Sequence, residues 1–385
     1  MVSRGGAEMS LLFPNAIRGL RDRIIANPAF QRWAADFPLT RPIAQRRASG
    51  LFDICAGFVY SQVLYACVEL DLFERVANGP RVASDLAPEL ELTPEAAERL
   101  LRAAVALKLL ERRGSDERGH ARYGLGYHGA AVRGNPGIAA MVRHHRMFYQ
   151  DLADPLALLR GEVAQTELGR YWDYAGNSDP AEADDGAVAA YSELMTASHG
   201  FVADDTLDAY SLKDHRCLLD IGGGEGNFLI AAAKRWPDLR LMLFDLPTVA
   251  ERARKRFVAL GLADRASAYG GDLMVCELPK GADIVSLVRV VHDHDDANAM
   301  TILRAARAAL PQGGTLLITE PMSETPGAEP IGDAYFGLYL LAMGSGRPRP
   351  PRELKAMVAA AGFERVRMVR TRRPMQTRIM LAQAG

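Results

Sequence analysis

The chain has 385 residues, 49% of them apolar and 24% charged, with a formal net charge of −1. That length predicts two or three domains, and that composition excludes wholesale disorder and any need for disulfide or metal staples. A near-neutral balance also argues against a protein built around nucleic acid.

The four cysteines, Cys55, Cys67, Cys217 and Cys276, are scattered and lack zinc-ribbon spacing. They fit reduced thiols, and a cytoplasmic location is expected. No signal-peptide pattern opens the chain, and no run approaches the roughly 18–20 uninterrupted apolar residues of a membrane span. Residues 1–50 hold eight arginines and three acids, a local charge of +5 that leaves −6 for the remainder. This segment also carries Phe13, Phe30, Trp33 and Phe37. It reads either as an arm that packs on a partner subunit, or as a basic amphipathic arm that makes peripheral contact with an anionic inner or photosynthetic membrane. Pro14, Pro28, Pro38 and Pro42 are expected to interrupt any long helix there, which favours the first reading.

Residues 51–73 predict a helix that is apolar on most sides and must be buried, in a core or at the seam of a homodimer. Two short helices follow over 82–110, with Thr93 and Pro94 suited to the N-cap and first turn of the second. The stretch ERRGSDERGHARYGL (111–125) then reads as a hairpin. Helix, helix and hairpin make a winged helix, an architecture often used on DNA. The second helix, however, mixes Glu95 and Glu98 with Arg99, Arg102 and Lys108, so no nucleic-acid partner is expected. Residues 138–200 look helical and aromatic-rich, with a polar break at 176–186. Beyond 213, apolar strands at 216–221, 240–245, 266–270, 283–291 and 314–320 alternate with helical segments, the rhythm of a doubly wound α/β domain. The expected domains are 1–135, helical and winged-helix; 136–205, linking helices that line a substrate site; and 206–385, catalytic.

The segment RCLLDIGGGEGNF (216–228) is a strand running into Gly222, Gly224 and Gly226, whose lack of a side chain lets the backbone turn tightly and approach a ligand. A dinucleotide loop would place its third glycine at 227, which is Asn227, and Glu225 would repel a pyrophosphate. A nicotinamide enzyme is therefore disfavoured. Asp245, at the tip of the next strand, is placed to hold ribose hydroxyls, and Asp272 in GGDLM to accept from an adenine amino group. With Asp220 and Gly222 they suit a neutral or cationic adenosyl ligand such as S-adenosylmethionine; any one aspartate could cap a helix, but three at successive strand tips beside a glycine loop favour ligand binding.

In DIVSLVRVVHDHDD the fourth strand runs into His292, where an open α/β sheet binds its ligands. An imidazole there can act as a base near neutral pH. Asp295 or Asp296 suits a helix cap, and with no second cluster of ligands no metal is expected. Glu320 ends the next strand, placed to orient His292 or to stabilise its imidazolium. Tyr335, Phe336, Tyr339, Leu340 and Met343 share a helical face that reads either as the wall of an apolar slot or as ordinary core.

Taken in order, LLDIGGGEGNF, LMLFDLP, GGDLM, VRVVHDHDD, LLITEPM and AAGFERVRMV resemble the class I S-adenosylmethionine-dependent O-methyltransferases of the caffeic acid and hydroxyindole type. The resemblance implies a Rossmann-like α/β catalytic domain with a seven-stranded mixed sheet, preceded by a mostly α-helical winged-helix dimerisation domain. It implies cofactor contacts from Gly222, Gly224, Asp245, Leu246, Gly271, Asp272, Leu273 and Arg289, with His292 as general base flanked by Glu320. Two departures stand out. The family often reads His-Asp-Trp where this chain has His292, Asp293 and His294, and Pro351 occupies the position of a second flanking acid. The segments 37–73 and HHRMFYQDLADPL resemble the branch that methylates the tertiary 1-hydroxyl of acyclic carotenoids, which implies a small apolar hydroxylated substrate. A phenol, hydroxyindole or polyketide acceptor is the alternative. A winged-helix regulator that senses S-adenosylmethionine without turnover is the alternative from a different class.

Overall fold

Strands that are apolar at every position can persist only where both faces of a sheet are covered, and the second half of this chain is built on such strands. The computed structural model describes residues 5–177, 202–374 and 377–385, with side chains over 16–172, 202–374 and 377–385. It divides into two compact units, Met1–Ala130 and Ala131–Gly385.

The first unit opens with α1 (Gly5–Ala26), α2 (Pro28–Asp36) and α3 (Arg41–Glu69). The expectation that prolines would break long helices is half corrected. Helix α1 continues through position 14, whereas Pro28 and Pro42 fall in the first turns of α2 and α3, where a missing N–H breaks no hydrogen bond. Asn27 caps α2, its Oδ1 accepting from Ala29 N at 2.8 Å. The side chain of Phe13 lies outside the described residues.

Helix α3 begins ten residues earlier than the apolar run suggested, and of the two places expected for it, a core or a dimer seam, the core is excluded. Leu51, Phe52, Ile54 and Phe58 are 65–79% exposed, and only Cys67 and Val68 at its end are buried. A unit of this size cannot wrap a 29-residue helix on every side. By length and composition alone α3 would also suffice to cross a membrane, with a mean hydropathy of 1.6 over its most apolar 18-residue window, although Asp53 interrupts the apolar run. Then come α4 (Leu72–Arg75), β1 (Arg81–Val82), α5 (Ala83–Glu89), α6 (Pro94–Ala106), β2 (Leu110–Ser115) and β3 (Ala121–Leu125). The strand order β1-β3-β2 beside α5 and α6 is the expected winged helix. Thr93 caps α6, its Oγ1 accepting from Ala96 N at 3.2 Å.

After α7 (Tyr127–Arg133), the second unit continues with α8 (Pro136–Asp151), α9 (Pro155–Leu159) and α10 (Glu167–Asn177), so the linking helices group with the catalytic fold. Most of the polar break at 176–186 lies outside the described residues. After α11 (202–209) come β4 (Cys217–Ile221), α12 (Asn227–Arg235), β5 (Arg240–Asp245), α13 (Pro247–Ala259), β6 (Ala266–Gly270), β7 (Ile284–Val288), α14 (Asp296–Ala309) and β8 (Thr315–Glu320). The chain closes with α15 (Phe336–Met343), α16 (Pro351–Ala360), β9 (Phe363–Val369) and β10 (Arg378–Ala384).

The sheet order is β6-β5-β4-β7-β8-β10-β9, with β10 antiparallel to both its neighbours and the rest parallel. This is the seven-stranded mixed sheet expected. Phe228 and Leu229 of α12 and Phe257 of α13 pack on one face, and Ile302 and Leu303 of α14 with Val358 of α16 on the other. Strand order reverses between β4 and β7, and a ligand crevice opens beyond the carboxyl ends at such a reversal.

Candidate active site

The loop from β4 to α12 forms one wall of that crevice. Gly222 has φ +65° and a Cβ there would sit 2.8 Å from Val290, while a Cβ on Gly224 would meet nothing within 4 Å, so the backbone at 224 faces open space. Asp245, at the tip of β5, receives the Gly224 N–H on Oδ2 at 2.8 Å and the Leu246 N–H on Oδ1 at 2.7 Å. Burial raises its carboxyl above the usual range, and these two N–H groups work against that rise. Each oxygen keeps a lone pair for a further donor such as a sugar hydroxyl.

Asp220 is not in the crevice. It lies beneath the loop, 1% exposed, accepting from Ser286 Oγ at 2.6 Å, and burial lifts its carboxyl to about 7. Gly271, Asp272 and Leu273 also stand apart from the crevice lining. Asp272 is exposed and its Oδ1 accepts from Met274 N at 2.8 Å, a local turn, while Leu273 packs against the sheet core.

Strand β7 stops at Val288, three residues short of expectation. Arg289 takes φ +58° and donates its N–H to Thr319 O at 2.7 Å, which turns the chain out of the sheet. Its guanidinium carbon lies 6.0 Å from the Phe336 ring centroid. A single 3₁₀ turn, Val291–Asp293, then carries His292 to the crevice. The ring is almost wholly enclosed, with Nε2 2.9 Å from Asp293 Oδ1.

Glu320 reaches His292 through the main chain and not through the ring. Its Oε2 accepts from the backbone N–H of His292 at 3.1 Å. Ending a strand beside β7, it reaches the turn's main chain before it reaches the side chain. His292 Nδ1 and Glu320 Oε1 are both buried without a hydrogen-bond partner. Burial pushes the Glu320 carboxyl up, with the charges of His292 and Arg349 opposing.

The segment Ser345–Arg349, just before the expected position of a second acid at Pro351, grips the histidine turn from the other side, a role not read from the sequence. Arg347 N donates to His292 O at 2.8 Å and Ser345 Oγ to Asp293 O at 2.7 Å. Arg349 is fully buried and donates to Val291 O at 2.8 Å, His294 O at 2.7 Å and Asp296 Oδ1 at 2.8 Å. Gly346 is required here, since with φ +81° a Cβ would fall 2.1 Å from His292 O. Of the acids after His292, Asp295 caps α14, its Oδ1 accepting from Asn298 N at 2.8 Å, and Asp296 pairs with Arg347 and Arg349. Pro351 opens α16, and nearby Glu353 is taken up by Arg347.

Aromatic side chains close the crevice. Trp172, Phe336, Tyr339, Leu340 and Met343 line it together with Gly222, Gly224, Asp245, Leu246, Arg289 and His292. Tyr335 stands behind them on the π-helical turn Pro330–Tyr335, stacked on Tyr339 at 5.8 Å. Two consecutive histidines of α8, not singled out from the sequence, pin both phenols. His144 Nε2 lies 2.7 Å from Tyr339 Oη and His145 Nε2 2.8 Å from Tyr335 Oη. Trp172 Nε1 also donates to Tyr339 Oη, at 3.2 Å. Burial holds both histidines down at about 4 and lifts Tyr335 to about 12. The wall is thus uncharged at neutral pH, with these polar atoms paired to one another.

One side of the crevice therefore offers an acidic strand tip and open glycine backbone, with Glu225 in the lining. That donor set fits a neutral or cationic nucleoside and repels a pyrophosphate. The other side offers an imidazole against an apolar wall.

Comparison with known proteins agrees with this division. The family model described as an O-methyltransferase domain matches residues 149–364, and that of the O-methyltransferase dimerisation domain matches 52–129, which includes the exposed Phe52, Ile54 and Phe58 of α3. The chain is 42% identical over 375 residues to demethylspheroidene O-methyltransferase of Cereibacter sphaeroides, covering 95% of this chain and 96% of that protein. It is 32% identical to acetylserotonin O-methyltransferase of Mus musculus, over 89% of this chain and 90% of the other. Among solved structures, CalO1, a methyltransferase of calicheamicin biosynthesis in its SAH-bound form, superposes with a TM-score of 0.72 at 26% identity, covering 89% of this chain and 99% of that one. The chain belongs to the S-adenosylmethionine-dependent O-methyltransferases that carry their own dimerisation domain.

Proposed function

We propose that this enzyme methylates the tertiary 1-hydroxyl of an acyclic carotenoid, with His292 as general base. One observation carries the chemistry: the His292 ring, the glycine loop with Asp245 and the aromatic wall all line a single crevice. The 42% identity to a demethylspheroidene O-methyltransferase supports the acceptor class, as does a wall that keeps its polar atoms paired and presents carbon to the substrate.

When bound, S-adenosylmethionine would supply an electrophilic methyl carbon on a sulfonium, whose carbon–sulfur bond breaks as the C–O bond forms and leaves a neutral thioether. Asp245 would hold the ribose hydroxyls and the Gly222–Gly224 backbone would take the methionine end. The wall would direct the acceptor hydroxyl toward His292. Holding the two reactants in line is worth about 7–11 kcal/mol of the barrier. A tertiary alcohol is far too weak an acid to ionise beforehand, so the proton passes to His292 as the C–O bond forms. Nε2 faces Asp293, and the charge of the buried Glu320, held on the main chain of the turn, acts on the ring at longer range. The imidazolium is then balanced by two acids.

The test is incubation of purified protein with isotopically labelled S-adenosylmethionine and detergent-dispersed 1-hydroxy acyclic carotenoids, read by mass spectrometry for a labelled methyl ether. A labelled ether is expected. Labelling of a phenol or hydroxyindole instead would discard the carotenoid and keep the enzyme class.

A further inference from the structure

The N-terminal arm exposes a surface that the family's dimerisation match, beginning at residue 52, does not include. On α1, Ile17, Leu20 and Ile24 recur at helical spacing and are 41–66% exposed. On α2, Trp33 stacks on Phe37 at 5.2 Å, with Phe30 5.6 Å from Trp33. Trp33 is 52% exposed, and Leu39, in the turn to α3, is 78% exposed. A groove of about 450 Å³, lined by Ile25, Phe30, Ala34, Ile43 and Leu51, opens among the three helices.

Arginines are interleaved with these apolar groups. Arg18, Arg32, Arg46 and Arg47 are exposed, and no carboxylate pairs with them among the described residues. Within 16–50 only Asp22 and Asp36 are acidic, and Asp22 is taken by Arg21. A contact between two copies of the same surface would set these unpaired arginines against each other. Exposed aromatic and aliphatic groups among unpaired arginines are the chemistry of an interface between water and anionic headgroups: the rings and chains enter the acyl boundary while the guanidinium groups bind phosphates.

We propose that α1, α2 and the first turns of α3 form a surface that docks on an anionic lipid bilayer. The apolar groups supply insertion and the arginines supply selectivity for negative headgroups. The inference does not depend on the identity of the acceptor, since neither cofactor nor substrate takes part.

The test is sedimentation of the full-length protein with unilamellar vesicles of phosphatidylcholine alone or mixed with phosphatidylglycerol. Binding is expected only with phosphatidylglycerol, and it should weaken as salt screens the arginines. The triple variant Arg32→Gln, Arg46→Gln, Arg47→Gln should bind at least about tenfold more weakly. Trp33→Ser with Phe37→Ser should lose binding too, and both variants should remain dimers by light scattering. All five positions are exposed, so neither variant removes a core side chain. A wild-type dimer that ignores phosphatidylglycerol vesicles overturns the proposal. So does a variant that falls to monomers, because the surface would then be a contact between two copies of this chain.

Discussion

Replacing Arg349 with methionine isolates the grip on the catalytic turn without touching any group that meets cofactor or acceptor. The substitution removes the donors to Val291 O and His294 O and one of the two cations on Asp296, which keeps Arg347 at 2.8 Å. A carbonyl left without a donor in such a site costs about 1–3 kcal/mol. Val291 O keeps the His294 N–H at 3.4 Å while His294 O loses its donor, so about 1–3 kcal/mol of lost stability is predicted, which a urea titration would read as a lower midpoint. Because Arg347 N still holds His292 O at 2.8 Å, the turn should shift and not unravel. A displacement near 1 Å at the base lowers turnover by about a hundredfold. Calorimetry should show S-adenosylmethionine affinity unchanged, since among the described residues no hydrogen bond or ion pair joins Arg349 to the glycine loop or Asp245. Arg349→Lys should recover part of kcat, as an ammonium reaches one acceptor where the fork reaches three. Wild-type kcat in the folded methionine variant would refute the positioning role, as would a fall in kcat matched by an equal loss of cofactor affinity.

The remaining expectations are simpler to state. His292→Ala should keep cofactor affinity and lose about 10²–10⁴ in turnover, and wild-type-like turnover would remove the base assignment. Asp245→Ala, which leaves the Gly224 and Leu246 N–H groups without their acceptor, should weaken cofactor binding at least about tenfold by calorimetry and also lower the thermal transition. Gly346→Ala should abolish most activity, because its Cβ would displace the His292 carbonyl. His144 and His145 predict a specific acid sensitivity. Their folded values near 4 lie below an ordinary histidine, so the unfolded chain binds more protons between about 4 and 6.5, and stability falls as pH drops through that window. Each displacement is worth about 3 kcal/mol. Midpoints of urea unfolding across this range should fall less steeply in a His144→Gln, His145→Gln variant, and an unchanged slope would contradict the assignment.

The glycine loop, the acid at the tip of β5 and the histidine after β7 are legible in one dimension because strand, turn and helix follow one another within a dozen residues. Their gathering at the sheet's carboxyl edge follows from β4, β5, β7 and β8 being parallel, so that all of these strands end on the same side. The aromatic helix was legible as a face, but not as a wall, since periodicity alone does not distinguish a lining from a core.

What the sequence by itself determined is the set of local elements and their chemistry: the doubly wound rhythm, the winged helix, the adenosyl-binding loop and the basic apolar arm. Tertiary structure alone decided which polar atoms meet. Arg349 lies 58 residues from the Val291 carbonyl it holds, and Tyr339 lies 195 residues from His144. No local pattern marks an arginine for full burial, because burial is tolerated only where the fold has already gathered acceptors around it. Glu320 shows the same limit. Its strand-tip position was readable, but whether its carboxylate meets the imidazole or the main chain of His292 depends on how β8 lies beside β7, and the fold directs it to the main chain.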